Sequence, residues 1–256
     1  MRISFLGVGS AFTTAQYYQS NMLITAGSGK RILIDCGSDI RFSLQEAGIR
    51  FCHFGREIDA VYVSHLHADH IGGLEAAALV SYFDRESPRP GLFAQEDVLR
   101  DLWNHSLQGG LLYINRKKMH LDDYFTSQPV NDKGAFRWEG IDFKLIKMPH
   151  IGMGHYRLYS YGLVIKDRTK SAFISTDAQF QPDLLGSISE QVDLIFHDCE
   201  TCERPSLIHA HYSQLCTLPL QLKERMWLYH YDPSPGLDPG ADGFKGFVQK
   251  GQEFEF

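Results

Sequence analysis

The chain has 256 residues, of which 43% are hydrophobic and 22% charged, as in an ordinary globular protein with enough sequence for one large core. A net charge of −6 gives no general surface for polyanions, so a stable complex with nucleic acid is not expected. No run approaches the length of a membrane span, and the start Met1–Gly7 is too short and polar for a signal peptide. We therefore expect a cytoplasmic protein without membrane contact.

The cysteine pattern indicates reduced thiols. The chain has five cysteines, an odd number, and its one C-x-x-C sequence, Cys199–Cys202, has no second pair to complete a structural zinc site. Buried structural thiols are the expected role.

The first quarter of the chain predicts strands at Ile3–Val8, Asn21–Thr25 and Lys30–Asp35, followed by a helix at about Asp39–Ala47. The last two strands are joined across a glycine-rich turn and form a predicted hairpin. Asp35 closes the third strand and has two possible roles. It can accept a histidine N–H from a nearby metal site, or it can cap the helix that follows.

A cluster of potential metal ligands follows the buried strand predicted at Ala60–Val63. His65, His67, Asp69 and His70 lie within six residues, and two glycines and a helix-forming segment come next. In extended backbone, His65 and His67 point the same way, whereas Asp69 and His70 can face a second point a few ångströms away. Imidazole and carboxylate groups suit zinc or a similar divalent ion, and paired ions suit hydrolysis at phosphorus or carbonyl.

The middle of the chain is the least readable part. A strand at Gly91–Ala94 and a helix at Gln95–Leu107 lead into an insertion at about residues 106–126. Its basic triplet Arg116–Lys118 predicts a solvated turn, with a substrate lid or a dimer contact as alternatives. Residues 136–147 then predict a hairpin.

Three further candidate ligands each follow a predicted strand. His150 ends a strand beside a proline, and His155, beyond the Gly-Met-Gly segment, is its competitor. Asp177 directly follows the strand Ser171–Ser175 and could bridge two cations with its two oxygens. His230 ends the strand predicted to be the last in the chain. We expect His150, Asp177 and His230 to converge on the earlier cluster.

A second constellation predicts a proton donor. Asp198 ends another strand, and His211 opens a helix predicted at Gln214–Lys223. A histidine oriented by a carboxylate can protonate a departing alkoxide, so we expect His211 to act as general acid with Asp198 as its partner. His209 is an alternative acid, and Glu200 is an alternative partner.

The His-x-His-x-Asp-His pattern resembles the motif of the metallo-β-lactamase superfamily. The opening Phe5-Leu-Gly-Val-Gly-Ser-Ala, His197-Asp198 and His211-Tyr-Ser213 resemble motifs of its ribonuclease Z and cyclic-phosphodiesterase branch. The resemblance implies one domain over residues 1–256 with a four-layer αββα sandwich of the α/β (α+β) class. It also implies two divalent ions, most commonly Zn²⁺ with Mn²⁺ as the alternative. One ion would take His65, His67 and His150, the other Asp69, His70 and His230, with Asp177 as the bridge.

Within this branch, the chain is most similar to the cyclic-nucleotide phosphodiesterases, which include phage anti-Pycsar proteins that counter cyclic-nucleotide immune signalling. The resemblance implies hydrolysis of a small cyclic mononucleotide such as cCMP, cUMP, cAMP or cGMP, with His211, Asp198 and Asp69 as catalytic residues. It also implies a homodimer and, if a phage encodes the chain, action in the host cytoplasm.

Other activities stay open. The negative charge and the short insertion weaken a ribonuclease Z-like tRNA 3′ endonuclease, which usually carries a long basic arm. A phosphoribosyl cyclic phosphodiesterase remains an alternative, and a thioesterase or lactonase of the same fold is an alternative of another class.

Overall fold

The computed structural model describes residues 1–153 and 155–256, and its strands form two large sheets and one short hairpin. The strands in chain order are β1 (Arg2–Phe5), β2 (Met22–Thr25), β3 (Arg31–Ile34), β4 (Ala60–Val63), β5 (Gly91–Gln95), β6 (Tyr113–Ile114), β7 (Lys117–Lys118), β8 (Thr126–Val130), β9 (Ala135–Trp138), β10 (Ile141–Met153), β11 (Tyr156–Lys166), β12 (Ser171–Ile174), β13 (Leu194–Asp198), β14 (Met226–Tyr229), β15 (Gly246–Phe247) and β16 (Glu253–Glu255).

The helices are short and lie outside the sheets. In chain order they are α1 (Ile40–Glu46), α2 (Phe54–Glu57), α3 (Ala68–Ile71), α4 (Leu74–Phe83), α5 (Glu96–Leu102), α6 (Gln108–Leu111), α7 (Pro182–Ser189), α8 (Tyr212–Leu215) and α9 (Leu220–Lys223). Two 3₁₀ turns at Phe51–His53 and Leu121–Asp123 and a π-helical turn at Trp103–Leu107 complete them.

Each large sheet mixes antiparallel and parallel pairing. The first has the order β16-β1-β2-β3-β4-β5-β8, and the second has the order β15-β14-β13-β12-β11-β10-β9. Strands β12, β13 and β14 are parallel, as are β3, β4, β5 and β8. Because parallel strands end at the same edge of a sheet, the residues after β12, β13 and β14 are neighbours in space.

An aromatic core joins the two sheets. Phe5 of β1 lies 5.1 Å from Phe196 of β13 and 5.6 Å from Tyr229 of β14, measured between ring centroids. All three side chains are buried, and they belong to a hydrophobic cluster with members in both sheets. Separate clusters lie beneath the helices on the two outer faces. The result is the predicted αββα sandwich, and the shared core supports the proposal that residues 1–256 form one domain.

The structure differs from the predicted elements in three places. Strand β10 does not stop at Pro149 but runs on, with a register shift between Pro149 and Ile151. The predicted helix Gln214–Lys223 is two four-residue helices, because Pro219 cannot continue the first and begins the second. Strand β14 is also not the last, since β15 and β16 add short edges to both sheets.

The predicted insertion is compact. After the π-helical turn and α6, residues 113–118 form the β6–β7 hairpin, with Asn115 and Arg116 at positive φ in its turn. The basic triplet therefore lies on an exposed turn, as predicted. Gly154, part of the predicted Gly-Met-Gly segment, lies outside the described residues. Within residues 1–153 and 155–256, no helix has the length and apolar character needed to span a membrane.

Candidate metal centre

The first group of candidate ligands assembles where β4 of one sheet meets the strand ends of the other. His67 Nδ1 lies 3.0 Å from His65 Nε2 and 3.1 Å from His150 Nε2. Asp177 Oδ2 lies 3.7 Å from His65 Nε2 and 3.6 Å from His150 Nε2. His65, His150 and Asp177 are buried, and His67 is half-buried at the N-cap of α3.

The second group uses the other oxygen of the same aspartate. His70 Nε2 lies 3.1 Å from Asp177 Oδ1 and 3.2 Å from Asp69 Oδ2. His230 Nε2 lies 3.3 Å from Asp177 Oδ1 and 3.4 Å from Asp69 Oδ2. The structure thus brings together all seven side chains that the sequence nominated, although they are spread from position 65 to position 230.

The spacing of these atoms fits two divalent ions. Zinc binds imidazole and carboxylate at about 2.0–2.2 Å in tetrahedral sites, which places neighbouring ligand atoms about 3.4 Å apart. The separations of 3.0–3.7 Å in the two groups bracket that value. Moreover, buried His70 Nε2 and Asp177 Oδ1 have no hydrogen bond within the described part of the chain. Each group could therefore hold one metal ion.

The electrostatics of the groups also suit cations. Burial lowers the pKa of His65 well below its usual range and also lowers that of His150, which favours the neutral imidazole that binds metals. Burial opposes ionisation of Asp177, yet the adjacent His230 and His70 bring the pKa of this carboxyl well below its usual range. Each group offers four nitrogen and oxygen donors, one of which is an oxygen of Asp177, and zinc or manganese accepts such a donor set.

Additional contacts orient the candidate ligands from behind. Asp35 Oδ2 lies 2.7 Å from His70 Nδ1 and also accepts the Ser64 hydroxyl at 2.7 Å. The backbone carbonyl of Ile208 lies 2.9 Å from His150 Nδ1. Of the two roles predicted for Asp35, the structure supports the contact with a histidine. The N-cap of helix α1 is instead Asp39, whose side chain makes no capping bond.

A histidine–aspartate pair lies beside the two groups. His209 Nδ1 is 2.7 Å from Asp198 Oδ2 and 3.9 Å from Asp177 Oδ2. Burial opposes protonation of His209, but the Asp198 carboxylate outweighs it and raises the pKa of this imidazole. The other oxygen of Asp198 lies 3.3 Å from His230 Nδ1. A histidine whose protonated form is stabilised by a buried carboxylate at this position can donate a proton next to the candidate metal centre.

The predicted pairing of His211 with Asp198 is not observed. His211 is the N-cap of α8, where its Nδ1 lies 2.7 Å from the Ser213 hydroxyl and its Nε2 lies 2.9 Å from the Cys202 carbonyl. Its backbone N–H donates to the Gln214 side chain, which completes a capping box. The histidine–x–x–glutamine spacing is that of such a box, and this signal could have assigned the cap to His211 and the acid to His209.

The structure also shows where the other residues proposed from the sequence, His155, Glu200 and Asp69, lie. His155 is exposed in the turn after β10 and belongs to neither group, so His150 is the histidine at the centre. Glu200 Oε2 accepts the backbone N–H of Ser206 and does not take the place of Asp198. Asp69 lies in the second group and faces the cavity described next.

A cavity of about 510 Å³ opens directly onto the metal groups. The residues that line it include His67, Asp69, Asp177 and His230, together with His209. Its volume is within the range of small-molecule sites. Apolar side chains also line the cavity, among them Phe12, Ile151 and Ile208.

Comparison with known proteins identifies relatives along the whole chain. The family described as "Anti-Pycsar protein Apyc1" matches residues 1–254. The chain is 34% identical over 257 residues to the anti-Pycsar protein Apyc1 of Paenibacillus harenae, covering 100% of both chains. It is 32% identical over 261 residues to the anti-Pycsar protein Apyc1 of Bacillus phage vB_BveM-Goe7, covering 98% of this chain and 97% of that protein.

Solved structures show the same fold at lower identity. The metallo-β-lactamase fold protein YhfI from Bacillus subtilis matches with a TM-score of 0.72 at 16% identity, covering 99% of this chain and 98% of that one. Zn²⁺-bound PqqB from Methylobacterium extorquens matches with a TM-score of 0.74 at 14% identity, covering 100% of both. The fold is therefore that of the metallo-β-lactamases, as the sequence motif predicted.

We expect Asp35→Asn to weaken metal binding while preserving the fold. Asn tolerates the positive φ of 62° at this position but presents one oxygen acceptor instead of two. Loss of such a supporting contact lowers metal affinity by about 10- to 100-fold. Competition with a zinc-chelating dye would measure the change. Asp59→Asn, in which a carboxylate that accepts the Arg31 backbone N–H is replaced, is the matched control. Equal affinities for both variants would contradict the role of Asp35.

Proposed function

Because the chain belongs to the anti-Pycsar protein Apyc1 family, we propose that it hydrolyses small cyclic mononucleotides such as cCMP, cUMP, cAMP and cGMP. The chain is a metal-dependent phosphodiesterase, and thus a hydrolase, of the metallo-β-lactamase fold. We further propose that by this hydrolysis it counters cyclic-nucleotide immune signalling. The name of its relatives supports this role.

We assign the seven converging side chains as ligands of two divalent ions. His65, His67 and His150 would hold one ion and Asp69, His70 and His230 the other, with Asp177 available to both. Zinc is the favoured metal, because the donor spacing suits it and a structural neighbour is described as Zn²⁺-bound; manganese is the alternative. Such ions supply Lewis acidity to a bound phosphodiester and to water.

Two residues of the protein, His209 and Asp198, would then bring about protonation of the leaving group. His209, kept protonated by Asp198, donates its proton to the ribose oxygen that departs when the P–O bond of the ring breaks. Asp198 keeps the imidazole in one orientation and stabilises its charge. Its other oxygen contacts His230, so the proton donor and a metal ligand share one anchor.

One observation carries the proposal: His209, which contacts Asp198, lines the same cavity of about 510 Å³ as members of both ligand groups. An alkoxide leaving group needs a proton, whereas a thiolate does not, so a positioned acid favours a phosphodiester over a thioester. The compact β6–β7 hairpin and the charge of −6 offer no extended basic surface for tRNA.

We further propose a homodimer that acts in the host cytoplasm when a phage carries the gene. The phage relatives support the second part, and family resemblance alone supports the first. Light scattering of the purified protein should give twice the chain mass of 29.1 kDa. A single-chain mass over the concentration range used for assays would contradict the dimer.

A substrate panel tests the function directly. We expect the zinc- or manganese-loaded protein to hydrolyse cyclic mononucleotides but neither a 3′-extended tRNA nor a thioester, as followed by product chromatography. A phosphoribosyl cyclic phosphate is included to test that alternative. His67→Ala, which removes one ligand, serves as the inactive control. Turnover of only the tRNA or only the thioester would refute the proposal.

A matched histidine pair tests the proton donor. We expect His209→Asn to lower kcat for cyclic nucleotides by about 10²- to 10⁴-fold. The loss should be much smaller with bis(p-nitrophenyl) phosphate, because its nitrophenolate leaves without a proton. His211→Ala should keep activity and lower the free energy of unfolding by about 1 kcal/mol, since it removes a helix cap. The opposite order of kcat losses would restore His211 as the acid.

A further inference from the structure

We propose that Phe12 is the platform on which the nucleobase of the substrate stacks. This inference rests on the proposed cyclic-nucleotide phosphodiesterase activity. It concerns the apolar residues that line the cavity. The lining of the cavity combines polar side chains, which include the buried candidate ligands Asp177 and His230, with apolar ones, which include the exposed Phe12. A cyclic nucleotide has the same two parts, an anionic phosphodiester and a flat base.

Among the large hydrophobic side chains whose exposure the structure describes, Phe12 is the most exposed, with 97% of its surface accessible. Scattered apolar residues at a protein surface are common and need no explanation. Phe12 differs because it lines the same cavity as His209 and the metal groups. An aromatic ring with both faces accessible in the lining of a ligand cavity is suited to stacking against a flat, aromatic group.

The loop that presents Phe12 is tied to the metal centre. The backbone N–H of Ser10 donates to the carbonyl of Tyr231, the residue after His230, at 3.2 Å. The Ser10 hydroxyl also donates to Asp232 at 3.3 Å, and the Gln19 amide donates to the Ala11 carbonyl at 3.3 Å. The ring is therefore carried on a fixed turn beside a candidate ligand.

Close packing keeps this turn tight. The backbone N–H of Thr13 donates to the carbonyl of Ser10 at 3.2 Å. The turn folds so closely that a Cβ added at Gly9 would lie 2.1 Å from Thr13 Oγ1. Because the backbone around Phe12 is fixed, little conformational entropy is lost when a base packs on its ring.

The polar side chains in this part of the cavity are already engaged within the protein. Asp232 accepts from Ser10 and from Thr201. Both ends of the Gln19 amide are bonded, the oxygen to the backbone N–H of Ser38 and the nitrogen to Ala11. Glu200 accepts the Ser206 backbone N–H. These side chains thus already have partners within the protein, and stacking is the interaction that Phe12 itself offers to a base.

The test compares substrates with and without a base. We would measure KM of the metal-loaded protein for cAMP, cCMP and the abasic ribose 3′,5′-cyclic phosphate. Base–aromatic stacking predicts that the wild type binds the nucleotides about tenfold more tightly than the abasic diester. In Phe12→Ala this advantage should disappear, and the loss should be larger for the purine. Phe12→Trp should restore it.

The matched control is Phe83→Ala. Phe83 is also exposed, at 60%, but it ends helix α4 and does not line the cavity, so the advantage of a base should persist. An equal advantage in Phe12→Ala and the wild type would overturn the role of Phe12 while leaving the cyclic-nucleotide activity established. Failure of the wild type to hydrolyse any of the three diesters would instead refute the proposed function, and the stacking role with it.

Discussion

The site depends on the placement of one buried carboxylate, that of Asp177. Its two oxygens lie in different ligand groups, each within 3.1–3.7 Å of two histidines. Burial of a carboxylate is costly unless charge or hydrogen bonds compensate it, and here four histidines surround it. The loop after β4 in one sheet and the ends of β12 and β14 in the other must therefore keep their relative positions.

The aromatic core between the sheets maintains these relative positions. Phe5 of one sheet packs on Phe196 and Tyr229 of the other, and these last two lie on the strands that lead to Asp198 and His230. Buried polar groups contribute little net stability, whereas buried aromatic side chains contribute strongly. The hydrophobic contacts thus stabilise the interface that the polar side chains require.

Asp198 links the metal centre to the proton donor. One of its oxygens contacts His230 and the other contacts His209, while the backbone N–H of Ala178, next to Asp177, also donates to it at 2.9 Å. A shift of any one of these segments would alter the other two. One shared side chain therefore fixes the relative positions of His230, a candidate ligand, and His209, the proposed proton donor.

The sequence by itself predicted the fold and the enzyme class, because its His-x-His-x-Asp-His motif resembles that of the metallo-β-lactamase superfamily. It also nominated His150, Asp177 and His230 as candidate ligands, because each follows a predicted strand, which is a local pattern. It could not decide between His209 and His211, which are two residues apart. Only the tertiary structure shows which of them contacts Asp198, because the capping box of α8 engages His211 whereas the end of β13 brings Asp198 to His209. Likewise, nothing local to Phe12 indicates that its loop faces the cavity, since that position depends on contacts with Tyr231 and Asp232, more than 200 residues away.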